Sequence, residues 1–153
     1  MTSEPPSVAS DARPEEDIAA VLDDLYDAVL LGDDQRFAGH LAADVTVWES
    51  DEPALLSGLA EIEGYRQRGS LSRRVPLANL TSTDKHVTVY GDVAVARYRL
   101  CAEIDDSRGV VCRVSAVLRR SGDGRWRIVH RHAEREPTSG VDELGSGGRR
   151  PAA

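Results

Sequence analysis

Apolar residues recur along this chain in two rhythms. After Ile18, the residues Val21, Leu22, Leu25, Tyr26 and Val29 follow at the i, i+3, i+4, i+7 spacing of one buried stripe on an α-helix. Pro14 suits the first turn of that helix, Glu15, Glu16 and Asp17 favour its positive end, and Gly32 stops it. The same rhythm predicts a short helix over Asp34 to Leu41 with Phe37 and Leu41 inward. A third helix over Leu59 to Arg68 carries Leu59, Ile62 and Tyr65 on one side and ends at Gly69.

Elsewhere the period is two. Asp44 to Glu49 reads as a strand, followed by an acidic turn through Pro53. Val75 to Tyr90 is one long strand or two pieces broken near Thr83-Asp84, and Gly91-Asp92 turns the chain. Val93 to Ile104 alternates cleanly, with Ala94, Ala96, Tyr98, Leu100, Ala102 and Ile104 on one face and Val95, Arg97, Arg99 and Cys101 on the other. Val110 to Arg120 returns, Ser121-Gly122-Asp123-Gly124 turns again, and Trp126 to Glu134 closes the sheet. Strict alternation there puts Trp126, Ile128, His130 and His132 on a single face. An apolar row such as Ala94, Ala96, Tyr98 and Leu100 must be covered. Because helices cover only one side of a sheet, its convex side is expected to be a homodimer interface.

Helices followed by a run of strands give an α+β domain over residues 14–135, with three N-terminal helices on a strongly curved antiparallel sheet. Residues 1–13 and 136–153 are Pro-, Gly-, Ser- and charge-rich and are expected to be disordered tails. The start, Met1 to Ser10, has neither a basic nor an apolar signal region, and no apolar run approaches a membrane span. The expected compartment is the cytoplasm, with no membrane partner.

Charge divides the chain in two. Residues 1–63 carry sixteen acids against Arg13 and Arg36, whereas residues 64–153 carry seventeen bases against ten acids. With a pI near 5.1, nucleic acid is a poor partner. The split reads as an acidic helical layer beside an Arg-rich sheet, or as arginines lining an anion-binding cavity. Cys101 and Cys112 flank the hairpin connection Asp105 to Gly109. If the turn centres on Asp106–Ser107 they sit directly opposite one another, and two reduced thiols are the expectation. Their spacing is not that of a metal site.

Leu31-Gly32-Asp33, Asp44-Val45-Thr46-Val47, Ser57-Gly58, Gly91-Asp92-Val93-Ala94 and Gly124-Arg125-Trp126 with Val129-His130-Arg131-His132 stand in an order that resembles the nuclear transport factor 2-like superfamily. The resemblance covers roughly Glu15 to Glu134 and implies a cone-shaped, cystatin-like fold. It takes in ketosteroid isomerase, SnoaL-like polyketide cyclases and the association domain of calcium/calmodulin-dependent kinase II. Against the kinase domain, Arg99 falls on one position of an arginine-lined pocket, the other two corresponding to Glu63 and Ala116. Against ketosteroid isomerase, Glu49 falls where that family places its general base. The carboxyl donor falls on Ala116, and the tyrosine donor aligns nearer Leu25 than Tyr26.

Glu49 also stands out on its own chemistry. It follows Trp48 at the end of a buried strand, and a carboxylate entering an apolar cavity can become a proton shuttle. The competing reading is an exposed acid among Asp51 and Glu52. His130 and His132 share a face and can exchange protons near neutrality, or they are imidazoles hydrogen-bonded between sheet and helix. Turned inward, Arg99 could grip a substrate carboxylate or pair with Glu49; turned outward, Arg97 and Arg99 would face solvent or an oligomer partner. Tyr26, Trp48 and Tyr65 would supply cavity walls, with Ser115 and His132 as further polar contacts. Glu49, Arg99 and His130 form the expected catalytic set, converging on one concavity, with no metal and no cofactor. The function this implies is binding of a small apolar or carboxylate-bearing metabolite, with isomerase, cyclase or dehydratase chemistry. The alternative is a non-catalytic, homo-oligomerising association module.

Overall fold

Pro14 opens helix α1 (Pro14–Leu31) and Gly32 closes it at φ 74° in the computed structural model, which describes residues 13–69 and 76–137. The left-handed glycine lets its own N–H and that of Asp33 reach back to the last free carbonyls, Ala28 and Val29. Asp33 then caps α2 (Asp34–Gly39) by accepting a hydrogen bond from the Arg36 N–H at 3.2 Å. The chain continues through β1 (Leu41–Trp48), β2 (Leu56–Ser57), α3 (Gly58–Gly69), β3 (Asn79–Tyr90), β4 (Val93–Asp105), β5 (Arg108–Arg120) and β6 (Trp126–Arg135). The predicted second helix therefore stops short of Leu41, which instead begins the first strand.

Three helices and a curved, unclosed six-stranded sheet ordered β2-β1-β6-β5-β4-β3 make up the α+β domain. The sheet is not wholly antiparallel, because β1 joins β6 in parallel. The apolar stripe of α1 lies on one face of the sheet. Ile18, Leu22 and Leu25 are buried to within 1 % exposure, each worth about 2 kcal/mol of hydrophobic burial. They share one buried cluster with Ala94, Ala96, Val114, Leu118 and Ile128. The apolar row of β4 therefore faces the helices and takes no part in covering the convex side, contrary to the argument that it required a partner there. That outer face carries polar residues, among them Arg97, Arg99, Arg113 and Ser115.

Two β-bulges change what alternation predicts. On β6 the pairing jumps from Leu118↔Ile128 to Val117↔His130, leaving Val129 without an opposite number. A one-residue slip exchanges the two faces of everything beyond it. Trp126 and Ile128 point into the core as expected, but so do Arg131 and Ala133, while His130 and His132 turn outward. On the β4–β5 hairpin, Asp105↔Arg108 centres the turn on Asp106–Ser107, yet a shift between Glu103 and Asp105 moves the register by one. Cys101 is then opposite Val111 and Cys112 opposite Leu100. The two free thiols lie on opposite faces of the sheet, not facing one another.

A third irregularity, on β3 between Thr83 and His86, contains Asp84 at φ 55°. Ser82 and Lys85 beside it reach Asp23 of α1 at 3.1 and 2.9 Å, fastening that strand to the helix. Val75 at the start of the predicted long strand, Leu144 and both predicted tails beyond Arg13 and Pro137 lie outside the described residues.

Candidate active site

Between the helices and the inner face of the sheet lies a cavity of about 590 Å³. Leu25 and Val29 of α1, Val47 of β1, Ile62 of α3, Leu80 of β3 and Leu100 of β4 line it with apolar surface. Alternation along β1 buries Val45 and Val47, and the next residue of that phase is Glu49, which therefore enters the cavity wall.

Its carboxylate is met by Arg131. The Arg131 Nη1–H donates to Glu49 Oε2 at 2.9 Å and its Nε–H donates to the Tyr26 hydroxyl at 3.0 Å. Tyr26 and Tyr98 place their hydroxyl oxygens 2.6 Å apart, with rings edge-on at a centroid distance of 6.0 Å. A chain Tyr98–Tyr26–Arg131–Glu49 thus runs from the buried sheet to the cavity. Arg131 is 8 % exposed. Burial opposes its charge, but Tyr26 and Glu49 beside it outweigh that and hold it firmly protonated. Burial pushes the Tyr98 hydroxyl well above the ordinary tyrosine range, with Tyr26 adding to the effect.

Proton accounting orients the tyrosine pair. Tyr98 is buried and, among the described residues, Tyr26 is the one side chain within hydrogen-bond distance that can accept its proton. If Tyr26 donated to it, the Tyr98 proton would be left buried without an acceptor, at a cost of about 1–3 kcal/mol. The satisfied arrangement has Tyr98 donating to Tyr26. Tyr26 then accepts from both Tyr98 and Arg131, and its own O–H is left to donate into the cavity it lines.

The rim is acidic and aromatic. Tyr65 donates its hydroxyl to Asp51 Oδ1 at 2.7 Å. Burial, with Glu49 and Asp51 nearby, raises its pKa and keeps it a phenol. Trp48 is 45 % exposed beside the cavity mouth. Its ring stands 6.4 Å from that of His132, which is exposed and borders both this cavity and a shallower depression on the outer face. Cys112 lines the cavity with a thiol whose pKa burial raises.

The expected catalytic set does not converge. Glu49 is in the cavity, but Arg99 lies on the outer face, held by Asp84 at 2.5 Å and Glu136 at 2.9 Å. Ser115 is on that face as well, opposite Arg97 in register. His130 places Nδ1 2.8 Å from Thr46 Oγ1, turned outward by the bulge, and does not border the cavity. Tyr26, Trp48 and Tyr65 do border it. Ala116 is fully buried opposite Arg131, where its small side chain leaves room for the guanidinium. The arginine that sequence reasoning missed is Arg131, which strict alternation assigns to the other face. Tyr98 falls on the correct face but reads only as part of an apolar row, so its hydroxyl was missed. Among the described residues no cluster of His, Cys, Asp or Glu could hold a metal ion, and no helix is long and apolar enough to cross a membrane.

Residues 18–133 match the model of a family described as SnoaL-like domain. Among solved structures, a nuclear transport factor 2-like protein with a cystatin-like fold from Novosphingobium aromaticivorans is 20% identical with a TM-score of 0.71, over 91% of this chain and 94% of that one. A candidate ketosteroid isomerase from Parabacteroides distasonis is 20% identical with a TM-score of 0.67, over 86% and 91%. The CaMKII hub of S. rosetta is 23% identical with a TM-score of 0.66, over 82% and 98%. At these identities the likeness is one of fold. No curated protein gives a significant match.

Proposed function

Because the chain belongs to the SnoaL-like domain family, we propose that its cavity is the site of acid–base chemistry on a small, largely apolar, neutral metabolite that carries a carbonyl. The observation that carries this reading is the hydrogen-bonded chain Tyr98–Tyr26–Arg131–Glu49 at the wall of an apolar cavity. Tyr26 is the donor to the carbonyl oxygen. Receiving bonds from a guanidinium and a second phenol, it is a stronger donor than an isolated tyrosine and is aimed before the ligand arrives. Glu49 is the proton acceptor, positioned by the hydrogen bond it receives from Arg131.

A neutral ligand fits better than a carboxylate. Of the three arginines that line the cavity, the two buried ones, Arg131 and Arg66, are already paired, with Glu49 and Asp34 respectively, and Arg135 is exposed to solvent at its edge. Asp51 and Glu52 add negative charge to the cavity lining. A further buried anion would be unfavourable there. Trp48 and Tyr65 serve as ligand-contacting walls, and His132 as a residue of the mouth. The same reading has the protein working as a homodimer, with the outer face of the sheet as the surface the helices leave uncovered. A non-catalytic association module is less favoured, since it gives no part to a guanidinium-held carboxylate in an apolar cavity.

The test is exchange of the methyl protons of 2-acetylnaphthalene in D₂O, followed by NMR. The wild-type protein should accelerate exchange above buffer, and Glu49→Gln should lower the rate by about 10²-fold or more with the probe still bound. Equal rates for wild type and variant would reject Glu49 as the base.

A further inference from the structure

Arg66 is an anomaly in the cavity wall. It follows Ile62 by four residues on α3 and so shares that residue's inward stripe, where an apolar side chain would be ordinary. The residue is 5 % exposed and borders the cavity. Its Nη2 donates to Asp34 Oδ1 at 2.8 Å, and its Cζ stands 4.2 Å from the centre of the Phe37 ring. These contacts tie α3 to α2 and neutralise the charge. They use one of the five N–H donors a guanidinium carries. Nε is buried with no hydrogen-bond partner, and among the described residues the remaining donors find none either.

Leaving a buried donor unpaired costs about 1–3 kcal/mol. Nε has no accessible surface and stays out of a ligand's reach, so it is the unpaired Nη donors of this side chain, at the border of the cavity, that point to what fills it. A purely structural role would need the Asp34 pair alone, and Asp34 occupies a single donor. The tyrosine–Glu49 chain stands on a different wall, formed by α1, β4, β6 and the end of β1, whereas Arg66 stands where α2 and α3 meet.

We propose that Arg66 is a second ligand-binding residue, which donates hydrogen bonds to an oxygen of the bound molecule, and that the ligand carries two neutral oxygen acceptors joined by an apolar body. This rests on the small-molecule reading of the cavity and specifies its ligand class. Asp34 has already neutralised the guanidinium, so a ketone, ester or amide oxygen satisfies the free donors without bringing a second anion into the wall. Arg66 thereby fixes which end of an asymmetric ligand lies at Glu49.

Two probes of one shape test this, 2,6-diacetylnaphthalene and its hydrocarbon analogue 2,6-diethylnaphthalene, titrated against wild type and Arg66→Met by fluorescence. Methionine keeps the unbranched stem over Phe37 and removes the donors. The diketone should bind roughly tenfold more weakly to the variant, as expected for loss of a hydrogen bond from a charged donor, while the hydrocarbon's affinity is unchanged. Equal weakening of both probes, or of neither, would overturn the role of Arg66 and leave the cavity reading intact. Failure of both probes to bind wild type would overturn the cavity reading, and this inference with it. If Arg66→Met does not fold, Arg66→Lys keeps the pairing with Asp34 but lacks the fork of donors, and it should show the same selective loss.

Discussion

Arg131→Met should destabilise the protein by roughly 3 kcal/mol, because it leaves Glu49 facing the cavity without its counter-charge and strips Tyr26 of a donor. Chemical denaturation measures the loss, and the same variant should lose proton exchange even where it stays folded. A cost below about 1 kcal/mol would mean that the pair contributes no more than a surface ion pair. At this scale the sequence was informative in some places and silent in others. Glu49 could be singled out because strand phase and the neighbouring Trp48 point it into apolar surroundings. Arg131 could not, because its inward turn depends on one unpaired residue, Val129, and nothing in Ile128-Val129-His130 marks that position as a bulge. Arg99 was misread for a different reason. Its alternation with Tyr98 was correct, and once Tyr98 is buried its neighbour must face outward, so the error lay in choosing the face.

Among the elements, the junction of α1, α2 and β1 depends on one carboxylate. Asp24 accepts from Nε–H and Nη2–H along one edge of the Arg36 guanidinium and from His40 Nε2 at 2.6 Å. The Arg36 bonds, with those of His40, hold the Asp24 pKa far below the ordinary carboxylate range. A carboxylate depressed in the folded state adds stability above its unfolded pKa of about 3.9, and that stability is lost as pH falls through the folded value. Asp24→Asn should therefore lower stability at pH 7 by about 1 kcal/mol, a modest figure because the side chain is 40% exposed and partly screened. The gap between variant and wild type, read from urea melts, should narrow below pH 4. A gap of constant size down to pH 2 would show that charge is not its source. Helices and strands themselves were legible from periodicity, because each buries one face. Parallel pairing of β1 with β6 was not, since it joins segments far apart in sequence and is set by how the sheet curves.

For the whole molecule, the uneven charge of the two halves of the chain resolves into several kinds of contact. Some pairs cross between them, as Lys85 with Asp23, Arg119 with Asp44 and Arg131 with Glu49. Others are local to the sheet and its turns, as Arg113 with Glu134, Arg120 with Asp92 and Arg127 with Asp123. The arginine-lined cavity weighed from composition exists in a reduced form, with Arg66 and Arg131 buried and already paired and Arg135 exposed at the edge. The central claim is that the cavity under α1, and not the Arg-rich outer face, is where the ligand binds. A crystal structure with 2,6-diacetylnaphthalene tests it directly. The account predicts one carbonyl oxygen about 2.7–3 Å from the Tyr26 hydroxyl, with the adjacent methyl carbon facing Glu49. A molecule bound instead in the outer depression beside Arg97 and Arg99, or in the cavity with both carbonyls turned away from Tyr26, would contradict it.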